Sequence, residues 1–246
     1  MKASSTTKND FVFIVIGILF LLVLWMILRA IEPTILVPSV TAVIKDIFMI
    51  ITSKESLLII YTLIKVIIVV GVSLIISTFL GIAMYKSRKI NMVLMPILAV
   101  MKGTPVASIL ILLLIFVKEK FAPSVICMLV IVPIISEGIK SALEQIDKDI
   151  IEETKMVTNI DLKVIFSVFL KMKKNTIISL IITCFGLGLK VLVMGEVITQ
   201  GRNTIGNAIV IAKSASLDYT RVFSWTVILF IIVIIVEKGL MKLIKE

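Results

Sequence analysis

Long apolar runs constrain this chain more than any other feature of its sequence. Several runs of about 20 apolar residues follow one another, and a helix of that length crosses a hydrocarbon core of roughly 30 Å. The chain has 246 residues, is 59% hydrophobic and has a mean hydropathy of +1.17, which excludes an ordinary soluble domain. Backbone groups in lipid must be satisfied inside their own segment. We therefore predict an all-α polytopic membrane protein with about six transmembrane helices, forming a single domain over residues 1–246.

The apolar runs have a definite order along the chain. The first, Phe11 to Ile31, lacks a small-residue cleavage site and is long, so we predict a retained first span and not a signal peptide. Residues 32–56 read as an amphipathic helix at the outer interface, and residues 200–221 as a second surface or re-entrant segment. The other predicted spans are 57–85, a broken span over 90–117, 124–136, 177–199 and 222–236.

Two features inside the apolar runs predict close packing and a cavity. Gly71, Ser73, Ser77 and Gly81 repeat at near-helical spacing, which is typical of a face where helices approach closely. The sequence Gly103-Thr104-Pro105 breaks the helix within the third span. A broken helix in the membrane is tolerated where it is buried or lines a cavity, so this break is a candidate border of a transport pathway.

The longest polar interruption, residues 146–171, is named the docking segment. Its first half predicts a surface helix with an apolar face, capped by Asp147. Thr158-Asn159 then breaks the helix, because Asn tolerates the left-handed conformation, and Asp161 is placed to cap a second helix. Two amphipathic helices joined by a turn predict a contact for a soluble partner. The apolar residues of the two helices are Ile146, Ile150, Ile151, Val157, Leu162, Ile165, Phe166 and Phe169, with Thr154 on the first face.

Lysine and arginine are distributed unequally between the two predicted sides. One side, which includes both termini and the docking segment, has fifteen of the 26, the other side has seven, and four fall within or at the ends of apolar runs. Because basic residues collect in cytoplasmic loops, we predict that the richer side is cytoplasmic. This topology also explains the net charge of +10 without a nucleic-acid partner.

Ionisable residues inside the apolar runs are candidate functional groups. Each costs at least about 2.5 kcal/mol to insert, so Lys65, Lys102, Lys190 and Glu196 need a partner or a purpose. One interpretation makes Lys102 and Lys190 an electropositive lining for the solute. The other pairs Lys190 with Glu196, or with a neighbouring helix, and lets Lys65 and Lys102 extend to an interface.

The docking segment resembles the EAA loop of ABC importer permeases. That pattern runs Glu-Ala-Ala, three residues, Gly, nine residues, Ile or Val, one residue, Leu-Pro. This sequence keeps the spacing and differs at Glu153, Thr154, Thr158 and Lys171. The resemblance implies a cytoplasmic coupling helix that fits a groove on an ATPase subunit. The residues at the matching positions are Glu152, Glu153, Thr154, Thr158, Val168 and Leu170.

Shorter motifs resemble the permeases for nitrate, sulfonates, taurine and thiamine precursors. The resemblance implies a type I importer permease of the inner membrane that takes up a small polar or anionic solute, with Pro105, Glu196 and Gly206 in pathway or gating positions. It also implies two ATP-binding cassette ATPase subunits, a second permease copy or paralogue, and an extracytoplasmic solute-binding protein. The motifs are Val37-Pro38-Ser39-Val40, Pro105-Val106-Ala107, Gly195-Glu196 and Ile205-Gly206.

The sequence argues against catalysis by this chain itself. It has no histidine and no Gly-rich phosphate loop, so we expect no cofactor and expect ATP to be bound by a partner subunit. Cys127 and Cys184 lie in apolar runs and are interpreted as small buried hydrophobes, not as a disulfide or metal site. The alternative hypothesis is an ion-coupled secondary transporter or a membrane scaffold without an ATPase, although no internal repeat is evident.

Overall fold

Every regular element is a helix in the part of the chain that the structure describes. The structure is a computed structural model, and it describes residues 8–31 and 36–245. α8 begins at Leu162–Val164, passes through a π-helical turn at Ile165–Phe169 and ends at Leu170–Met172. The other helices are α1 Lys8–Ile31, α2 Val40–Thr52, α3 Ser56–Lys86, α4 Arg88–Gly103, α5 Val106–Phe116, α6 Ala122–Glu144, α7 Lys148–Val157, α9 Lys174–Thr199, α10 Ile205–Ser214 and α11 Tyr219–Lys245.

The predicted all-α membrane architecture is confirmed. Among the described residues, α3, α6, α9 and residues 219–239 of α11 are long and apolar enough to cross a membrane. α4 and α5 together make a fifth candidate span, bent by 103° at the predicted Gly103-Thr104-Pro105 break. α1, with the shorter apolar stretch Val15–Ile31, remains the candidate for the first span.

The centre of the bundle is α6, against which α3 and α9 pack. The Ser77 hydroxyl on α3 donates to the Val132 carbonyl on α6 at 3.1 Å, and Gly81, one turn later, lies against Ser136. The contacts advance along both helices together, so α3 and α6 run in the same direction. Cys127 on α6 contacts Gly188 on α9, and Gly138 contacts Leu180, so α9 runs antiparallel to α6. α11 packs against α9. The buried side chains along this axis are those of Ile126, Ile131, Ile135, Ile139, Leu189 and Leu192.

Small residues on α3 allow the close approach to α6. Ser73, Ser77 and Gly81 are buried, as the predicted packing face requires. An ideal Cβ on Gly81 would lie 2.8 Å from the Ser136 carbonyl oxygen and 2.9 Å from the Ile139 Cβ. Gly71 has nothing within 4 Å of the same position, so it does not belong to the contact.

A charged cluster joins helices at the end of the bundle opposite α7. Arg221, near the start of α11, is ion-paired with Asp46 on α2 and with Glu55 before α3, the latter at 2.5 Å. α1 reaches the same end, where the Trp25 indole N–H donates to the Pro38 carbonyl at 3.1 Å. These contacts fix the surface helix α2 across the ends of two spans.

Several predicted boundaries are too short. The helix predicted at 124–136 continues to Glu144, and the last span begins at Tyr219 and continues through the basic tail. Hydropathy identifies only the part of a helix that lies inside the hydrocarbon core. The helix itself continues into the interface, where ion pairs such as Lys140 Nζ to Glu144 Oε1, at 3.3 Å, stabilise it. The segment predicted as surface helix over residues 32–56 is helical at Val40–Thr52, with Ser39 capping the first turn, while residues 32–35 lie outside the described part.

Gly81→Ala is predicted to destabilise the protein, because the added methyl group must displace the α6 backbone. We expect a loss of about 1–3 kcal/mol. Gly71→Ala is the matched control on the same helix and should change stability by no more than about 1 kcal/mol. Thermal unfolding followed with a thiol-reactive dye measures this, since Cys127 and Cys184 are buried and become reactive on unfolding. Equal melting temperatures for the two variants would contradict the prediction.

Candidate functional site

The docking segment has a buried base and an exposed tip. The tip is formed by Met156 and Val157, and the base by Ile146, Ile150, Ile151, Ile165 and Phe169. Ile146 is buried, and Ile150 and Ile151 pack against the core. At the far end of α7, Met156 and Val157 are 85% and 87% exposed. The apolar face predicted for the first helix is therefore correct near its start and wrong at Val157, because α7 extends beyond the surface of the bundle.

The second half of the docking segment supplies the rest of the buried base. Asp161 caps α8 as predicted, its Oδ1 accepting the Val164 N–H at 2.8 Å. The π-helical turn accommodates an extra residue and leaves Ile165 and Phe169 fully buried. The Lys173 ammonium donates to the Gln145 carbonyl at 2.9 Å, which joins the two ends of the segment. The docking segment is therefore attached at its two ends to α6 and α9.

Two local predictions for this segment are wrong. Asp147 occupies the position before α7, but its side chain makes no capping hydrogen bond. The turn is extended at Thr158, with φ −157°, and Asn159 does not adopt a left-handed conformation. An extended residue breaks a helix as effectively as a left-handed one, and it moves the chain further from α7 before α8 begins.

Some residues at the EAA positions are exposed, and others are partly buried. Glu152, Glu153 and Thr158 are exposed, and Val168 is exposed on α8. Leu170 is partly buried against the core. Thr154 is partly buried, and its hydroxyl donates to the Ile150 carbonyl at 2.6 Å. Solvent-exposed carboxylates and a free apolar tip can meet another protein without rearrangement of this chain.

Glu196 on α9 forms a buried ion pair with Lys65 on α3. The distance from Lys65 Nζ to Glu196 Oε1 is 3.0 Å, and the carboxylate side chain is fully buried. The predicted alternative, a pair between Lys190 and Glu196, is therefore wrong, as is the extension of Lys65 to an interface. α3 presents its cation to α9 directly, and this pairing offsets the cost of placing either charge in the bundle.

Gly206 on α10 packs directly against Glu196. An ideal Cβ on Gly206 would lie 2.4 Å from the Glu196 Cβ and 2.6 Å from the backbone nitrogen of Val197. No other residue type fits at this distance. The structure thus brings together two of the predicted pathway residues and holds α10 against the end of α9.

Lys102 and Pro105 lie together at the break between α4 and α5. Lys102 is exposed and is 2.5 Å from the carboxylate of Glu137 on α6. Pro105 is exposed and immediately precedes α5, with φ −59° and ψ 122°. The ion pair between Lys102 and Glu137 offsets the charge of Lys102 and connects the break between α4 and α5 to the central helix α6.

Lys190 lies apart from the other candidates. It is exposed on α9 and borders an apolar cavity of about 270 Å³ between α9 and α11. Among the described residues it forms no ion pair. The cavity is lined by Leu189, Val193, Thr226, Leu229, Phe230 and Val233 together with Lys190.

Sequence reasoning missed the acidic partners of the basic residues. Asp46, Glu55 and Glu137 were not singled out, although they pair with Arg221 and Lys102. A usable signal existed, because a cation within an apolar run is stabilised by an acidic partner, and the sequence has only 16 acidic residues. Which acid pairs with which cation depends on how the helices pack.

The fold and this segment define a polytopic membrane protein with a surface docking element, and comparison with known proteins gives its family. The family model described as "Binding-protein-dependent transport system inner membrane component" matches residues 73–243, most of the chain. The chain belongs to this family, the permease subunits of ABC importers.

Solved structures agree with the fold. Two inward-facing structures of the MetNI methionine ABC transporter match with TM-scores of 0.65 and 0.66, at 15% and 14% sequence identity. In both cases the match covers 79% of this chain and 98% of the other. No curated protein matches the sequence.

The buried pair is predicted to couple Lys65 and Glu196 energetically. Lys65→Met or Glu196→Gln alone leaves one charge without its partner and should lower stability by about 3 kcal/mol. The double variant should lose clearly less than the sum of the two single losses. The same cycle on the more exposed pair Lys102 and Glu137 is the control and should give a coupling below about 1 kcal/mol. Additive losses at Lys65 and Glu196 in thermal unfolding would contradict the prediction.

Proposed function

We propose that this permease subunit couples ATP hydrolysis on partner subunits to solute movement through the docking segment. The observation that carries the proposal is the contrast between the exposed tip at Met156 and Val157 and the buried base at Ile165 and Phe169. A segment with this design makes a contact outside the membrane and transmits it into the bundle. Family membership favours this function over the secondary-transporter alternative.

The contact proposed for the ATPase combines apolar and acidic groups. Met156 and Val157 leave more than four-fifths of their surface exposed, which is costly for apolar side chains in water and is relieved when a partner covers them. Glu152 and Glu153 are exposed on the same short helix. The partner groove would thus offer an apolar floor and a basic rim.

The chain needs other subunits to complete the transporter. Its sequence contains no phosphate-binding loop, so two ATP-binding cassette subunits would bind and hydrolyse ATP. A second permease copy or a paralogue would complete the pathway, and an extracytoplasmic binding protein would deliver the solute. The membrane-exposed side of α3 offers an apolar surface to lipid or to the second copy, including Ile60, Ile64, Ile67, Ile68, Ile75 and Phe79.

The docking segment is proposed to face the cytoplasm. It lies at the same end of the bundle as the junction of α3 and α4, which contains Lys86, Arg88 and Lys89. The bias of fifteen basic residues to seven favours this orientation. Both termini would then be cytoplasmic.

The transported molecule is proposed to be a small polar solute. The shorter sequence motifs suggest sulfonates, nitrate or vitamin precursors, whereas the similar solved structures are of a methionine transporter. Both similarities suggest a small polar solute, but the solutes they suggest differ in charge.

Glu152→Lys is predicted to uncouple the transporter. Reversing an exposed charge at the proposed contact should reduce ATP-driven uptake at least tenfold while leaving the melting temperature of the permease unchanged. Lys89→Glu reverses an exposed charge at the same end of the bundle but outside the docking segment and should retain normal uptake. Uptake into vesicles with ATP inside measures the effect. Normal uptake by Glu152→Lys would exclude this residue from the contact.

Removing the apolar tip is predicted to release the ATPase. The double change Met156→Ser and Val157→Ser should abolish co-purification of the ATPase subunits in mild detergent, because the contact loses its apolar centre. The control is Met92→Ser with Val93→Ser, the same two residue types on α4 with exposures of 65% and 64%, and it should leave co-purification intact. Recovery of the wild-type chain without any ATPase would count against the proposed function as a whole.

A further inference from the structure

α4 runs across the end of the bundle that carries the docking segment. It starts directly after Lys86 and Ser87, where α3 ends, and its far end is held by the ion pair between Lys102 and Glu137 on α6. Glu137 adjoins Ser136, which lies against Gly81 little more than one turn before α3 ends. Both ends of α4 are therefore near the same end of the bundle, although its 16 residues make a helix about 24 Å long. A helix placed in this way follows the membrane interface obliquely.

One face of α4 is apolar and is not covered by the described part of the chain. Ile90, Val93, Ile97 and Val100 recur at intervals of three and four residues, so they form one stripe along the helix. Their exposed fractions range from 42% to 68%, whereas Leu98, on the side toward the bundle, is 2% exposed. We name the four exposed residues the α4 stripe. Leaving the stripe in water is unfavourable, so an apolar group from outside this chain covers it.

Positive charge without a partner lies at the start of the same helix. Lys86, Arg88 and Lys89 are exposed, and none of them is ion-paired among the described residues. α4 contains no Asp or Glu that could pair with them. Lys89 also lines a shallow groove of about 270 Å³ whose other lining residues are apolar and include Ile90 and Val93. Cations and apolar surface therefore occur side by side.

Two occupants can cover an apolar stripe at this position, namely lipid and a second copy of the chain. A second copy that docked symmetrically through α4 would bring its own Lys86, Arg88 and Lys89 to the contact and no carboxylate from that helix. A phospholipid brings acyl chains for the stripe and a phosphate for the cations. Charge complementarity therefore favours an anionic phospholipid.

We propose that α4 is a binding surface for anionic phospholipids. The acyl chains lie along the α4 stripe, and the headgroup phosphate contacts the ammonium and guanidinium groups of Lys86, Arg88 and Lys89. The surface discriminates by the net charge of the headgroup, because a zwitterionic lipid has a compensating cation of its own. This inference goes beyond the proposed function and does not depend on it, since lipid binding requires no ATPase.

Quenching of a tryptophan by brominated lipids measures which lipid covers the stripe. Val93→Trp in the Trp25→Phe background places one exposed indole on the stripe, while Trp225 is fully buried and gives a constant signal. The full-length protein is reconstituted in phosphatidylcholine vesicles with increasing fractions of brominated phosphatidylglycerol, and a second series has the bromine on phosphatidylcholine. We expect phosphatidylglycerol to be preferred at least about threefold at low salt. Equal quenching by both lipids, or no quenching by either, as for a stripe covered by a second copy, would overturn the proposal.

Charge removal tests the cationic part of the surface. The triple change Lys86→Gln, Arg88→Gln and Lys89→Gln should abolish the preference but not the quenching itself, because the stripe remains. The control removes three exposed lysines from the docking segment at the same end of the bundle and should keep the preference. The control changes are Lys148→Gln, Lys155→Gln and Lys163→Gln. A preference that survives in the first triple variant, or that disappears in the control, would refute the site.

Salt provides the same test without a substitution in the basic cluster. If the first triple variant does not fold, as judged by thermal unfolding with the thiol-reactive dye, the salt titration replaces it. Raising the salt concentration from about 0.01 M to about 1 M shortens the screening length from roughly 30 Å to roughly 3 Å. The preference for phosphatidylglycerol should fall accordingly, and a preference that is independent of salt would contradict the proposal.

Failure of this inference can be separated from failure of the proposed function. Glu152→Lys should keep the lipid preference while losing ATP-driven uptake. Lys89→Glu should weaken the lipid preference while retaining uptake, because the lipid surface is not part of the docking contact. A chain that prefers phosphatidylglycerol but recruits no ATPase would refute the proposed function alone. A chain that recruits the ATPase but shows no lipid preference would refute this inference alone.

Discussion

Close backbone contact around α6 is the constraint on which the rest of the structure depends. Lipid is as apolar as the side chains, so helices in a membrane gain little from the hydrophobic effect when they associate, and dispersion at short range must hold them together. On α3, Gly81 lets the backbone approach Ser136, and on α9, Gly188 lies where a Cβ would be 2.8 Å from Ile131. Because α3 and α9 are fixed on α6, the positions of the segments at the two ends of these helices are also fixed.

The two ends of the bundle carry different polar groups. At one end, the docking segment leaves α6 and returns to α9, so it is attached to the central helix and to one of the two helices that pack against it. At the other end, Arg221 near the start of α11 connects α2 and the start of α3 through its pairs with Asp46 and Glu55. Between these ends the pair of Lys65 and Glu196 joins α3 to α9, and Gly206 joins α10 to the same carboxylate residue. These contacts join the helices that connect the two ends of the bundle.

Sequence reasoning succeeded where a property repeats along one helix and failed where it depends on a partner. The apolar runs, the break at Gly103 to Pro105 and the Asp161 cap are local, and the structure confirms them. The left-handed turn at Asn159 was wrong because more than one backbone conformation ends a helix, and residue type favours one without excluding the others. Val157 was placed on the covered face because periodicity gives the direction of a side chain but not whether a neighbour is present.

By itself the sequence determined the all-helical membrane architecture, the position of the docking segment and the family, because hydropathy and motif spacing are written along the chain. Only the tertiary structure decided which charges meet. Lys65 and Glu196 are 131 positions apart, and Arg221 and Asp46 are 175 apart. Such pairings depend on the rotation of each helix about its axis and on its depth in the bundle. Close packing sets these quantities, and no local pattern contains them.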